Sequence, residues 1–128
     1  MHALSLGQPQ TILCLGAHPD DIEIGCGGTL LSLLAQGSVR VHWHVFSGNE
    51  QRTAEARQSA QLFLRDASQT KIDVQSFRDS YFPDQWSDIK QYMESLHECQ
   101  PDLIFTHYEQ DRHHEKQAAA QQYNSWHP

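Results

Sequence analysis

Short apolar runs alternate with amphipathic stretches along this chain. Residues 11–17 (TILCLGA) form a continuous apolar run, the pattern of a strand buried on both faces. Residues 29–36 (TLLSLLAQ) have helical composition, and Gly37 is placed as the C′ glycine. Residues 39–47 (VRVHWHVFS) alternate, with Val39, Val41, Trp43 and Val45 on one face and Arg40, His42 and His44 on the other. The two histidines read as structural or solvent-facing. Residues 53–66 lack Gly and Pro and predict a second helix. A weak third strand is expected over 72–77. A helix is expected over 87–99, where Ile89, Tyr92/Met93 and Leu96 recur at helical spacing. Pro101 breaks the chain before a short fourth strand at 103–106 (LIFT), and one more helix fits 114–123.

This βαβαβαβ rhythm predicts an α/β fold: a parallel sheet covered by helices, joined by right-handed crossovers. In such sheets ligands sit beyond the carboxyl ends of the strands, near a switch in strand order. The chemistry is therefore expected just after Ala17, Phe46, Phe77 and Thr106. No repeat, linker or second domain is visible, and residues 1–128 are read as one domain.

Composition narrows the class. Nine Lys+Arg against 16 Asp+Glu give a net charge of −7. That balance argues against nucleic acid and anionic membrane as partners, since both need clustered cations. No apolar run approaches the roughly 18 residues of a membrane span. Met1 to Gln10 lacks the basic and apolar regions of a secretory signal, so a cytoplasmic location is the expectation. The three cysteines, Cys14, Cys26 and Cys99, show no C-x-x-C spacing, which argues against a disulfide framework or a cysteine zinc site. Nine of the 128 residues are histidine, the common metal ligand, and position must decide which of them matter.

The first strand runs directly into His18-Pro19-Asp20-Asp21, followed by IEIGCGGTL. His18 and Asp21 form an H-x-x-D pair, and an imidazole with a carboxylate at a strand end suits a divalent metal such as zinc. Pro19 fits the first position of a helical turn, with Asp20 and Asp21 in that turn. Two adjacent carboxylates point different ways, so one can ligate while the other acts as a base. Gly25, Gly27 and Gly28 allow close backbone approach. The plainer alternative is an acidic helix cap. A nucleotide-binding module is disfavoured, because no G-x-G-x-x-G directly follows the strand and no Gly-Lys-Ser/Thr completes a P-loop.

The stretch AHPDDIEIGCGGTL resembles the signature of the LmbE-like, or PIG-L, N-acetylglucosaminyl deacetylase family. Other features run in the same order: Arg52-x-x-Glu55-Ala56, Asp79, PDLIFTH over 101–107, and Asp111-Arg112-His113. The resemblance implies a Rossmann-like three-layer fold, its sheet here of about four strands in the order 3-2-1-4. It also implies a zinc-dependent hydrolase that removes an acyl group from the nitrogen of an N-acetylated sugar or similar small molecule. Under it, His18 and Asp21 correspond to zinc ligands, Asp20 to the general base, and His113 to the histidine on the oxyanion side. Arg52 and Asp79 become candidate substrate contacts; their plainer readings are an exposed helix-start residue and a turn carboxylate.

The second motif departs from the family pattern D-x-H-x-D-H. Here it reads Asp111-Arg112-His113-His114-Glu115-Lys116, with a lysine at the third-ligand position. A protonated ammonium has no lone pair to give a metal. A register slip would bring His114 there as third Zn2+ ligand, and His107 is the other substitute; the plain reading of each is a histidine that binds no metal. Cys26 lies near the proposed metal but reads as a packing residue, as does Trp86. Residues 117–128 bear little resemblance to what the family carries there. The expectation is a domain shortened relative to its family, with an uncovered sheet edge able to support self-association. The competing function is a non-catalytic member retaining part of the metal site.

Overall fold

A computed structural model describes residues 9–77 and 86–106. In chain order the elements are β1 (Thr11–Gly16), α1 (Asp21–Leu34), β2 (Arg40–Val45), α2 (Glu50–Phe63), β3 (Gln69–Val74), α3 (Trp86–Ser95), a 3-10 turn (Leu96–Cys99) and β4 (Leu103–Phe105). The strands form one sheet in the order β3-β2-β1-β4, and every pairing is parallel. Asp79, His113, His114, His107 and Lys116 lie outside the described residues, as does the helix expected over 114–123.

β1 is central and all six of its residues are buried, as its unbroken apolar run requires. Its alternating side chains feed two cores. Ile12 and Cys14 join Val41, Trp43 and Val45 of β2, with Leu30, Leu33 and Leu34 of α1 and Ala60 of α2. Leu13 and Leu15 face the opposite way, against Phe46, Ile89, Met93 and Leu96. Helices α1 and α2 therefore cover one face and α3 the other. Asp102 ties the start of the edge strand β4 to the start of β1: its carboxylate accepts the N–H groups of Gln10 and Thr11 at 2.8 and 3.0 Å.

The helix boundaries differ from the sequence expectation. α1 begins at Asp21 rather than at residue 29, so the glycine cluster lies inside it, and its C-cap is Ala35, which places Gly37 beyond C′. Helix α2 begins at Glu50, where the Asn49 side chain accepts the Arg52 N–H at 2.8 Å. Of the three helical glycines only Gly27 meets a close neighbour. A Cβ there would stand 2.8 Å from Phe63 Cε1, whereas Gly25 and Gly28 have nothing within 4 Å. Gly27 is where α1 and α2 approach each other.

The second face of β2 is less exposed than its sequence suggests. His44 is fully buried, while His42 is only partly so. The Tyr92 hydroxyl donates to Asp73 Oδ2 at 3.3 Å and also contacts His44 Nδ1. Its single proton goes to the carboxylate, so His44 Nδ1–H is the donor to the phenol oxygen. His44 Nε2 is then a bare, buried lone pair without a hydrogen-bond partner among the described residues. Burial, reinforced by His42 and Lys71 and opposed by Asp73, holds the His44 pKa down at about 4. The same burial, with Asp73, raises the Tyr92 hydroxyl far above its ordinary range.

This packing makes glycine substitutions and acid sensitivity measurable. Gly28→Ala should raise stability by about 0.5–1 kcal/mol, the ordinary helix-propensity gain, while Gly27→Ala should lower it by about 1–3 kcal/mol through the Phe63 clash; urea midpoints measure both. The folded state binds the His44 proton only near pH 4, whereas the unfolded chain binds it near pH 6.5, so stability should fall as pH drops through this window. The loss should reach about 3 kcal/mol. His44→Asn keeps a donor toward Tyr92, so its unfolding free energy should show a flatter slope between these pH values.

Candidate functional site

At the carboxyl end of β1 the backbone folds back on itself within four residues. The His18 N–H donates to Asp21 Oδ2 at 2.8 Å, and the Asp21 N–H returns to the His18 carbonyl at 3.3 Å. Gly16 permits the reversal. A Cβ at that position would lie 3.1 Å from Ile22 Cγ1 and 3.3 Å from Asp21 Cβ. In the sequence this glycine reads only as one more small residue in an apolar run.

This turn brings the H-x-x-D pair together. His18 Nδ1 stands 3.5 Å from Asp21 Oδ2, and the two side chains are 19% and 11% exposed. The separation is long for an N–H···O hydrogen bond, which centres near 2.9 Å. It matches two donors on one tetrahedral zinc, for which Zn–N and Zn–O bonds of about 2.0–2.2 Å give roughly 3.3–3.5 Å. The pair is thus spaced as co-ligands. Among the described residues no group of three His, Cys, Asp or Glu side chains converges on one point. His18 and Asp21 are thus two converging donors, with no third beside them among the described residues.

Asp20 lies between these two residues and differs from both. It is exposed and forms the N-cap of α1, yet its side chain makes no capping hydrogen bond. Its backbone is left-handed, at φ 79° and ψ −21°. A β-carbon is disfavoured in this region, and strain of this kind concentrates at functional sites. The sequence expectation placed Asp20 inside the first helical turn and Pro19 at its start. In the structure both precede the helix, and the positive φ turns the Asp20 carboxylate away from capping.

The surroundings come from three strand ends. A cavity of about 140 Å3 opens beside the turn, lined by Leu15, Asp21, Cys26, Phe105 and Thr106 among others. The Thr106 hydroxyl is buried and has no hydrogen-bond partner among the described residues. Ser47 ties the next loop to this end, donating its hydroxyl to the Ala17 carbonyl at 2.8 Å. Gly48 follows, close enough to Pro19 that a Cβ would lie 3.7 Å from its ring. Arg52 is exposed in the first turn of α2, at the same end of the sheet as the His18 turn. His18, Asp20, Asp21 and Arg52 thus share the carboxyl side of the sheet. Thr106 and Cys26 are cavity residues that the motif did not assign.

A model of the family described as PIG-L: GlcNAc-PI de-N-acetylase matches residues 13–123. The chain belongs to this family. A 33-residue segment is 52% identical to the uncharacterized deacetylase YaiS of Escherichia coli (strain K12), covering 26% of this chain and 18% of that protein. The conserved protein TT1542 from Thermus thermophilus shares the fold at a TM-score of 0.66 and 25% identity, over 90% of this chain and 54% of its own. Dbv21, a deacetylase of the A40926 pseudoaglycone, superposes at a TM-score of 0.65 and 18% identity, over 90% of this chain and 57% of its own. This PIG-L chain thus spans little more than half the length of these two solved relatives.

The strain at Asp20 generates a prediction. Asp20→Gly should stabilise the fold by about 0.5–1 kcal/mol, because glycine accepts positive φ without a steric cost. The denaturant midpoint should rise even though a candidate catalytic carboxylate is lost. A fall would show that the Asp20 side chain holds the turn.

Proposed function

We propose that this PIG-L chain hydrolyses the N-acyl bond of an N-acetylated amino sugar or a related small amide, using zinc held by His18 and Asp21. The observation that carries this reading is the 3.5 Å spacing of the two donors at the strand end, with a strained, exposed carboxylate between them. A bound zinc ion makes a water molecule acidic near neutral pH and polarises a carbonyl. Asp20 takes the proton from water and passes it to the departing amine nitrogen. Its exposure suits a group that meets both water and substrate. His113 takes the oxyanion side, and His114 completes the metal shell. Arg52 and Asp79 contact the hydroxyl-bearing part of the substrate.

Lys116 supports a second reading, in which the chain keeps the fold and two metal donors without turnover, because an ammonium at the third-ligand position repels a cation. Activity separates the two readings; metal content alone does not.

The test combines zinc titration with release of acetate from N-acetylglucosamine-type amides. His18→Ala should abolish stoichiometric zinc binding, and unchanged stoichiometry would remove His18 from the site. Asp20→Asn should keep zinc and lower kcat by about 10²–10⁴, the usual contribution of a positioned general base. Turnover by the parent chain supports closure of the site by another residue, whereas turnover only in Lys116→His supports the second reading.

A further inference from the structure

Cys14 and Cys26 belong to different elements but share one contact. Cys14 lies in β1, completely buried in the core beneath α1. Cys26 lies in α1, packs on that core from above, and lines the open cavity beside Asp21. Cys26 packs on the core cluster that contains Cys14, and the two thiols influence each other's titration. Cys26 also donates its S–H to the Ile22 carbonyl at 3.4 Å, which fixes its rotamer over the strand. One sulfur is therefore reachable from the cavity, and the other sits directly behind it.

We propose that Cys14 and Cys26 form a peroxide-responsive thiol pair, in which Cys26 is oxidised first and Cys14 closes a disulfide between α1 and β1. In the first step the Cys26 sulfur attacks one oxygen of a hydroperoxide. The O–O bond breaks, and Cys26 becomes a sulfenic acid as the peroxide is reduced to water or an alcohol. In the second step the Cys14 sulfur attacks the Cys26 sulfur, the S–O bond breaks, and the Cys14 proton leaves with the hydroxyl as water. The two thiols lose two electrons, and the peroxide gains them.

The division of roles follows from position. The S–H of Cys14 supports negative charge on Cys26, which holds the Cys26 thiol below its ordinary range and raises Cys14 well above it. Attack on peroxide needs thiolate character and access, and Cys26 has both. The buried Cys14 cannot meet the oxidant directly but needs no diffusion to reach a sulfenic acid on Cys26. Cys99 provides an internal comparison: it is also partly buried, but burial raises its pKa, and no second described cysteine contacts it. The loop between Cys14 and Cys26 contains His18, Asp20 and Asp21, so the bond would tie both ends of the metal turn together. That consequence rests on the proposed function; formation of the bond does not.

The decisive experiment is hydrogen peroxide treatment of the full chain, followed by alkylation under denaturing conditions and peptide mass mapping. The expected result is a Cys14–Cys26 linked peptide lighter by two hydrogens, reversed by dithiothreitol, with Cys99 recovered as the alkylated thiol. Cys26 should react about tenfold or more faster than Cys99. In Cys14→Ala the sulfenic acid has no partner, so a dimedone adduct should accumulate on Cys26. Recovery of Cys14 as a free thiol while Cys26 is oxidised, or a link from Cys26 to Cys99 or to a second chain, would overturn the proposal. The mapping uses the unaltered chain and reads neither zinc nor turnover, so it stands apart from any failure of the hydrolase reading.

Discussion

The candidate site depends on one backbone interaction, the hydrogen bond from the His18 N–H to the Asp21 carboxylate. It closes the turn that ends β1 and starts α1. The imidazole and carboxylate are thereby held 3.5 Å apart by a turn that the main chain closes. Donors positioned by the scaffold need no rearrangement to receive a ligand. Gly16 gives Asp21 and Ile22 room to pack over the strand end, and Asp20 absorbs the reversal in its left-handed backbone. Convergence of His18 with Asp21 and exposure of the Asp20 carboxylate are two results of one turn.

The rest of the fold holds that turn from both faces. On the α1–α2 face, Ile22 enters the main core one residue after Asp21, so burial of a large apolar side chain anchors the ligand-bearing end of the helix. On the other face, Phe46 and the Ser47 hydroxyl carry the end of β2 against Ala17, just before His18. The His44–Tyr92–Asp73 network belongs to this second layer and joins β2, β3 and α3. A buried polar network fixes one arrangement of these elements, because any other leaves its groups unpaired in a low-dielectric interior. It also makes this layer the acid-sensitive part of the fold.

The strand order and the alternation of elements were legible in the sequence because apolar period and length distinguish a six-residue buried strand from a helix. The start of α1 was not. Gly25, Gly27 and Gly28 carry poor helix propensity, and they look like a loop until Phe63, far along the chain on α2, shows why Gly27 is small. Acidic Asp21 and Glu23 in the first turn, with Ile22 buried, favour helix locally against those glycines. The burial of His44 was hidden for a similar reason, since its partners lie on β3 and α3. The H-x-x-D spacing pointed to the convergence of His18 and Asp21, whereas the left-handed Asp20 and the contact between Cys14 and Cys26 arise only when strand and helix pack. The candidates at Asp79, His113 and His114 fall outside the described residues.

The place where strand order reverses explains why the candidate residues gather at this end of the sheet. The chain builds β1, β2 and β3 outward in one direction, then crosses back to lay β4 on the other side of β1. The connection leaving β1 runs to α1 on one face, and the strand order switches between β1 and β4, the point where an open parallel sheet forms a crevice. The cavity lined by Leu15, Asp21, Phe105 and Thr106 lies at this point. One wall is the turn from His18 to Asp21. The other ends in Thr106, whose buried hydroxyl lacks a partner among the described residues, and the segment that follows it in sequence carries His107 and the Asp111-Arg112-His113-His114 run. Two motifs far apart in the chain are thus issued from neighbouring strands at a crevice produced by topology. A parallel sheet in this order sets the end of β4 next to the end of β1, the strand that carries the first motif.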